Sequence, residues 1–166
     1  VAVEPDPELG TRLRFNLDTN GWDHVRVLSC AVGAEEGWAL LHISGANRGE
    51  STLLERGTAG ETAAVEVPVR ALKRLLEEEG LTRLDILKID IEGLEPPVLR
   101  AFFACDPAPL RPRWIFCERK DTPEHRELEA FLQEQGYTLA LRTRLNMVLR
   151  EEGAPAWEGR SATRRP

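Results

Sequence analysis

Four ionisable side chains crowd into eight residues of this chain, Lys88, Asp90, Glu92 and Glu95, within LDILKIDIEGLEPPVLR over residues 84–100. The first half, LDILKIDI, is apolar enough to read as a buried strand over 84–91. An isolated charge inside such a strand would cost about several kcal/mol in lost hydration. The acids therefore belong at its exit, with Gly93 supplying the positive φ that a tight turn requires. A carboxylate there has three chemical uses. It can take a proton as a general base, ligate a hard cation through oxygen, or orient a substrate hydroxyl. Lys88 stands two residues before Asp90, on the same face of the strand, so the two can form an ion pair. Glu95 also reads as an acid in the first turn of the following helix, favoured by the helix dipole.

Other strand exits carry acids as well. In open α/β sheets ligands bind beyond the carboxyl ends of the strands. The exits here are Glu4, Ser29 to Ala31, Asp90 to Glu95, and Glu118, and three of the four are acidic. Glu4 ends VAVE and precedes a helix, where it can accept from a ribose diol or simply sit as an exposed acid near a helix N-terminus. Glu118 ends WIFCE and can complete an acidic pocket with Asp90, or be a surface acid beside Arg119 and Lys120. His24, His42 and His125 have no metal-ligand spacing, and His125 is expected in solvent on the first turn of a helix. Cys30, Cys105 and Cys117 lie apart in apolar surroundings and read as reduced, inert thiols.

The elements that must position these groups follow from periodicity. Asp6 and Pro7 start a helix over 7–18, striped by Leu9, Leu13 and Leu17. Strands are expected at 24–32, 38–44, 65–69 and 114–118. Helices are expected from Leu72 to Gly80, around 96–104, and from Asp121 or Thr122 to Gly136. The loop between residues 45 and 62, with Arg48, Ser51 and Thr52, is a candidate for substrate contact. Strands alternating with helices predict a mostly parallel, doubly wound sheet covered on both faces. The runs 138–144 and 145–151 have no helix between them and predict a closing antiparallel hairpin. Residues 1–151 form the domain, and 152–166 lack apolar period and read as a mobile tail.

The whole chain has 166 residues, a net charge of −6, 42% hydrophobic and 30% charged residues. Those values suit one soluble α/β domain in a cytoplasmic setting. They argue against a nucleic-acid partner, which needs a basic face. No apolar run approaches the roughly 20 residues of a membrane span.

VAVEPDPELGTRLRFNLDTNG, VLSCAVG, LTRLDILKIDIEGLEPPVLR and IFCER together resemble the FkbM family of S-adenosylmethionine-dependent methyltransferases, in order and spacing over roughly residues 1–150. The resemblance implies a class I methyltransferase, Rossmann-like fold: a seven-stranded sheet whose last strand is antiparallel. It implies O-methylation of a sugar or secondary-metabolite hydroxyl. Glu4 would hold the cofactor ribose, the Ser29-Cys30-Ala31 turn would lie by the adenine, and Asp90 would sit near the transferred methyl. Asp90 and Glu118 are then the candidate catalytic acids, with no metal. A divalent ion on Asp90, Glu92 and Glu118 is the minor variant. The family also has a strand and glycine-rich turn ahead of the EP motif, with no counterpart here. The expectation is an N-terminally truncated domain, open between VAVE and LDILKID, that binds cofactor weakly by itself. Two other readings stand beside this one. A nicotinamide-dependent Rossmann enzyme would use Glu4 in the same ribose role, although ILKIDIEG and the closing hairpin speak against it. A non-catalytic α/β interaction module is the other.

Overall fold

Asp6 starts the first helix by giving its carboxylate to two amides the helix leaves unpaired, accepting from Glu8 N at 2.8 Å and Leu9 N at 3.3 Å. The computed structural model describes residues 1–44, 51–53, 61–105, 110–120 and 122–155. In chain order these form β1 (Ala2–Val3), α1 (Pro7–Thr19), β2 (Val27–Leu28), β3 (Ala31–Gly33), β4 (Gly37–Ser44), β5 (Glu61–Ala71) and α2 (Leu72–Glu78). There follow β6 (Ile86–Ile89), α3 (Glu95–Phe103), β7 (Trp114–Glu118), α4 (Pro123–Glu134), β8 (Tyr137–Arg142) and β9 (Asn146–Glu151). Thr122 caps α4, accepting from His125 N at 3.4 Å. Asp121, Arg48 and most of the tail lie outside the described residues. No described helix is long and apolar enough to cross a membrane.

The architecture is mixed α/β, with three separate ladders rather than one mostly parallel sheet. β1 pairs with β2; β3, β5 and β4 form a second ladder in that order; β6, β7, β9 and β8 form a third. The β1–β2, β3–β5 and β6–β7 pairs are parallel, whereas β4–β5, β7–β9 and β8–β9 are antiparallel. The closing hairpin folds so that β9 enters between β7 and β8. The strand expected over 24–32 breaks at Ser29-Cys30, and its two halves, β2 and β3, join different ladders.

The main core sits on one face of the third ladder. Ile115 opposes Leu149 and Cys117 opposes Met147 across β7 and β9, and all four are 1% exposed or less. Val98, Leu99 and Phe102 of α3 and Leu128 and Leu132 of α4 belong to the same cluster, at helical spacing. Tyr137 closes one end, its hydroxyl donating to the Pro112 carbonyl at 2.8 Å, and burial pushes its pKa up. The opposite face is not covered as expected: Lys88 and Phe116, paired across β6 and β7, are both exposed. A smaller core of Ala31, Leu41, Ile43, Val67 and Val69 packs within the second ladder.

β6 departs most from its sequence. ILKI reads as buried on both sides, yet only Ile89 is buried and Ile86 is 42% exposed. The physical reason is that, among the described residues, β6 has a strand partner, β7, along one edge alone. The cysteines are free thiols, with Cys30 and Cys117 buried and pushed up in pKa chiefly by desolvation, so neither has thiolate character.

Leu99→Ala should lower unfolding free energy by about 2–5 kcal/mol, because Leu99 is fully buried and its cavity cannot fill with water. Phe15→Ala, at a site 69% exposed, should stay within about 0.5 kcal/mol. Urea denaturation of both variants checks the contrast.

Candidate active site

Two parallel-strand exits face one another across a pocket of about 140 Å³. One wall is Val3, Glu4 and Pro5, where the chain leaves β1; the other is Asp90, Ile91 and Glu92, where it leaves β6. Ala31 and Val32 of β3 add apolar surface. The described residues enclose less than the roughly 300 Å³ of a typical small-molecule site. The pocket shares Val3, Val32, Asp90 and Ile91 with a larger cleft beside it.

Glu4 is partly buried, and one of its oxygens accepts from Asp6 N at 2.8 Å. Burial pushes its carboxyl above the ordinary value of 4.5, the Asp6 amide opposes that shift, and the Asp6 charge adds to it. Across the pocket, Asp90 Oδ2 is held by Lys88 Nζ at 2.8 Å. Lys88 is thus an ion-pair partner whose side chain is 67% exposed, not a residue packed in a core. The pair lies at the surface, so its value is organisational more than energetic.

The turn after Asp90 is held from below. Glu92 adopts φ 57° and Gly93 φ 107°, and the left-handed conformation costs a non-glycine residue about 1–2 kcal/mol. Glu95, 0% exposed, accepts from Ile91 N at 2.7 Å and from Gly93 N at 2.9 Å. One carboxylate therefore satisfies two amides of the turn that aims Asp90 and Glu92 at the pocket. His125 lies behind it, Nε2 3.5 Å from Glu95 Oε2 and Nδ1 3.1 Å from Thr122 Oγ1. His125 is only 4% exposed, so its expected place in solvent is corrected. The reason is tertiary: α4 packs against α3 and presses its first turn onto the buried acid.

Glu118 ends β7, with Lys120 Nζ 3.0 Å from its Oε2 and 3.1 Å from Glu92 Oε2. Burial works against the Lys120 ammonium, but Glu118 and Glu92 outweigh it and raise its pKa. Asp90, Glu95 and Glu118 bring one oxygen each within 4.8 Å of one another. The acidic trio is thus completed by Glu95, whereas the sequence pointed to Glu92, whose carboxylate turns to Lys120. Lys88, Lys120 and two amides already compensate these carboxylates.

Of the Ser29-Cys30-Ala31 turn, only Ala31 reaches the pocket. Ser29 Oγ accepts from Arg14 Nη2 at 2.8 Å, and Ser29 and Cys30 line a different cleft with Arg70 and Glu78. Ser51 and Thr52 do line the pocket. Their segment is fixed to β4 by His42 N to Thr52 O at 2.9 Å and Thr52 N to His42 O at 3.2 Å. Sequence reasoning did not find Val32 or Leu41 in the lining, because apolar strand residues carry no signal that separates pocket from core. It also missed the buried role of Glu95. The one hint was the Pro96-Pro97 pair that follows, which has no N–H to offer a first-turn acid.

Glu95→Ala should destabilise the fold by about 3 kcal/mol, since it strips two buried amides of a charged acceptor. Amide exchange at Ile91 and Gly93 should accelerate more than exchange in β7 and β9. A uniform acceleration across these strands would show that Glu95 has no special hold on the turn.

Comparison with known proteins supplies the context for this geometry. Residues 1–139 match the model of the Methyltransferase FkbM domain. A protein named Methyltransferase 1, from Beauveria bassiana (strain ARSEF 2860), is 28% identical over 117 residues, covering 60% of this chain and 47% of that protein. The chain thus spans about half the length of this curated relative. No solved structure matches. The matched region contains both walls of the pocket and the turn that Glu95 secures, and on that match the chain belongs to the FkbM methyltransferase family.

Proposed function

We propose that the pocket between Glu4 and Asp90 binds S-adenosylmethionine and that the reaction is methylation of a hydroxyl on a small, sugar-like or secondary-metabolite substrate. One observation carries the reading: among the described residues the pocket lining holds three carboxylates, Glu4, Asp90 and Glu92, and no basic side chain. Lys88 and Lys120 pair with Asp90 and Glu92, so Glu4 is the acid of the described lining that lacks a lysine. An acid in a partly apolar cavity favours a cation such as the sulfonium of S-adenosylmethionine. A nicotinamide dinucleotide instead brings a pyrophosphate, for which the described lining offers no basic side chain. The finer fold assignment, a class I doubly wound sheet, belongs to the same proposal and is supported by the parallel β1–β2 and β6–β7 pairs and the antiparallel β9.

The second oxygen of Glu4 makes no hydrogen bond among the described residues, and a ribose hydroxyl would donate to it. Asp90 stands opposite, with Oδ2 on Lys88 and Oδ1 left for the acceptor. S-adenosylmethionine held there would supply an electrophilic methyl that would pass from sulfur to the acceptor oxygen, leaving S-adenosylhomocysteine and a methyl ether, and Asp90 would take the hydroxyl proton. Orientation of the two reactants supplies much of the acceleration. Glu118 lies behind Asp90, within the same acidic trio but outside the pocket lining, and acts by fixing the local field.

Glu4→Gln should weaken S-adenosylhomocysteine binding about tenfold or more, as expected for losing an ionic hydrogen bond. The raised pKa of Glu4 gives the sign of the pH effect. Its charged form is the acceptor, so affinity should fall as pH drops through a midpoint above 4.5, and the Gln variant should flatten that profile. Titration calorimetry from about pH 8 down to about pH 5 reads both. Identical binding by the two proteins at every pH, or stronger binding of NAD than of S-adenosylmethionine, would overturn the reading.

Asp90→Asn should cut methyl transfer by about 10²–10⁴-fold, far more than it weakens cofactor binding. Transfer of radiolabelled methyl to a panel of sugar and polyol acceptors measures it.

A further inference from the structure

We propose that the cavity between α4 and the ends of β7 and β8 binds a phosphoryl group, as free phosphate or as the phosphate of a small ester. The cavity measures about 270 Å³. Three elements build it. α4 contributes His125, Arg126, Glu129 and Gln133, the exit of β7 contributes Arg119, and the end of β8 contributes Arg142. The α4 positions stand at i, i+1, i+4 and i+8, so they share one side of the helix. Arg119 N donates to Leu145 O at 2.7 Å, which anchors its backbone beside the start of β9. The site therefore rests on side chains from three elements and not on a helix terminus.

The charges of this cavity run against those of the whole chain. The net charge is −6, yet among the described residues three guanidiniums here face one carboxylate, Glu129. Glu129 is already engaged, accepting from Arg142 Nη2. Arg119 is half-buried, and its guanidinium has no ion pair among the described residues. A cation partly removed from water loses hydration that a bound anion restores. His125 adds a second unsatisfied group. It is 4% exposed, and its Nε2 makes no hydrogen bond among the described residues. Glu95 Oε2 stands 3.5 Å from it, beyond the usual hydrogen-bond range. A second basic cleft supplies the contrast. Arg14 and Arg70 line it together with Glu78 and Glu79, and Arg70 is paired with Glu36 at 3.2 Å and with Glu78. That cleft is balanced in charge, whereas the one beside α4 is not.

The chemistry of the ligand follows from the donors. A carboxylate offers two oxygens and one charge, which a single guanidinium fork consumes. A phosphate monoester offers three oxygens and nearly two charges at neutral pH. Those oxygens suffice for Arg119 in the cavity and for Arg126 and Arg142, both exposed, at its rim. The volume is several times the ~30 Å³ share of one water, so the phosphoryl group enters with part of its substituent. His125 stands between this cavity and Glu95, the acid that secures the turn after β6. The proposed cofactor pocket shares none of these lining residues, so phosphate binding does not depend on the cofactor reading.

The test titrates the ¹⁵N-labelled chain with inorganic phosphate, glycerol 3-phosphate and acetate, at matched ionic strength and about pH 8, where phosphate is dianionic. Both phosphates should shift the amide resonances of Arg119, His125 and Arg126 saturably at millimolar concentration, and acetate should bind at least about tenfold more weakly. Tighter binding of glycerol 3-phosphate than of phosphate identifies an ester as the ligand; the reverse order identifies the free ion. Arg119→Gln should weaken phosphate binding by about tenfold or more. Arg126→Gln, at an exposed position, should weaken it too and carries the test if Arg119→Gln fails to fold. Arg12→Gln, on α1 outside the cavity, should bind as wild type does. The proposal is overturned by equal affinity for acetate and phosphate, or by shifts that never saturate. Undiminished binding in both cavity variants, or shifts confined to the surroundings of Arg14 and Arg70, would overturn it as well.

Discussion

Buried backbone groups must find partners, and this requirement organises the molecule from its core to its pocket. In the third ladder it is met by β9, which enters between β7 and β8 and gives β7 a second neighbour. Ile115, Cys117, Met147 and Leu149 are fully buried as a consequence. In the turn after β6 it is met by a side chain. Glu95 stands in for a missing strand or helix and accepts from Ile91 and Gly93. A turn with two successive positive φ values is thereby tied to the core, and the acids it carries are aimed at the pocket.

The same requirement gives β6 its mixed character. One edge is satisfied by β7, and the other opens onto the cleft shared with β1. A sequence suited to burial on both sides is left with Ile86 exposed. Cleft and pocket adjoin through Val3, Val32, Asp90 and Ile91.

Electrostatics at the site is a matter of paired charges. Lys88 secures Asp90, and Lys120 bridges Glu92 and Glu118. Glu4, partly buried and without a cationic partner among the described residues, carries the raised pKa. The acids that have lysines are positioned; the acid that lacks one is the group most sensitive to what binds beside it.

Much of this was legible in order and type. The cap at Asp6, the limits of β7, the closing hairpin, the Lys88–Asp90 pair and the positive φ at Gly93 are local, set by spacing and by what each residue allows in its own turn. What the sequence could not show depends on which segments meet. His125 reads as a solvated group and Glu95 as a dipole-favoured first-turn acid because both stand in first turns; the packing of α4 on α3 buries them. Ser29 and Cys30 read as pocket residues because they end a strand, yet β2 and β3 part company there and join different ladders. β6 reads as central because its residues are apolar, but exposure is set by neighbours, and apolar residues do not say whether a neighbour is present. Local conformation was determined by the chain itself; burial, and with it the identity of the pocket residues, was decided by tertiary pairing of backbone edges.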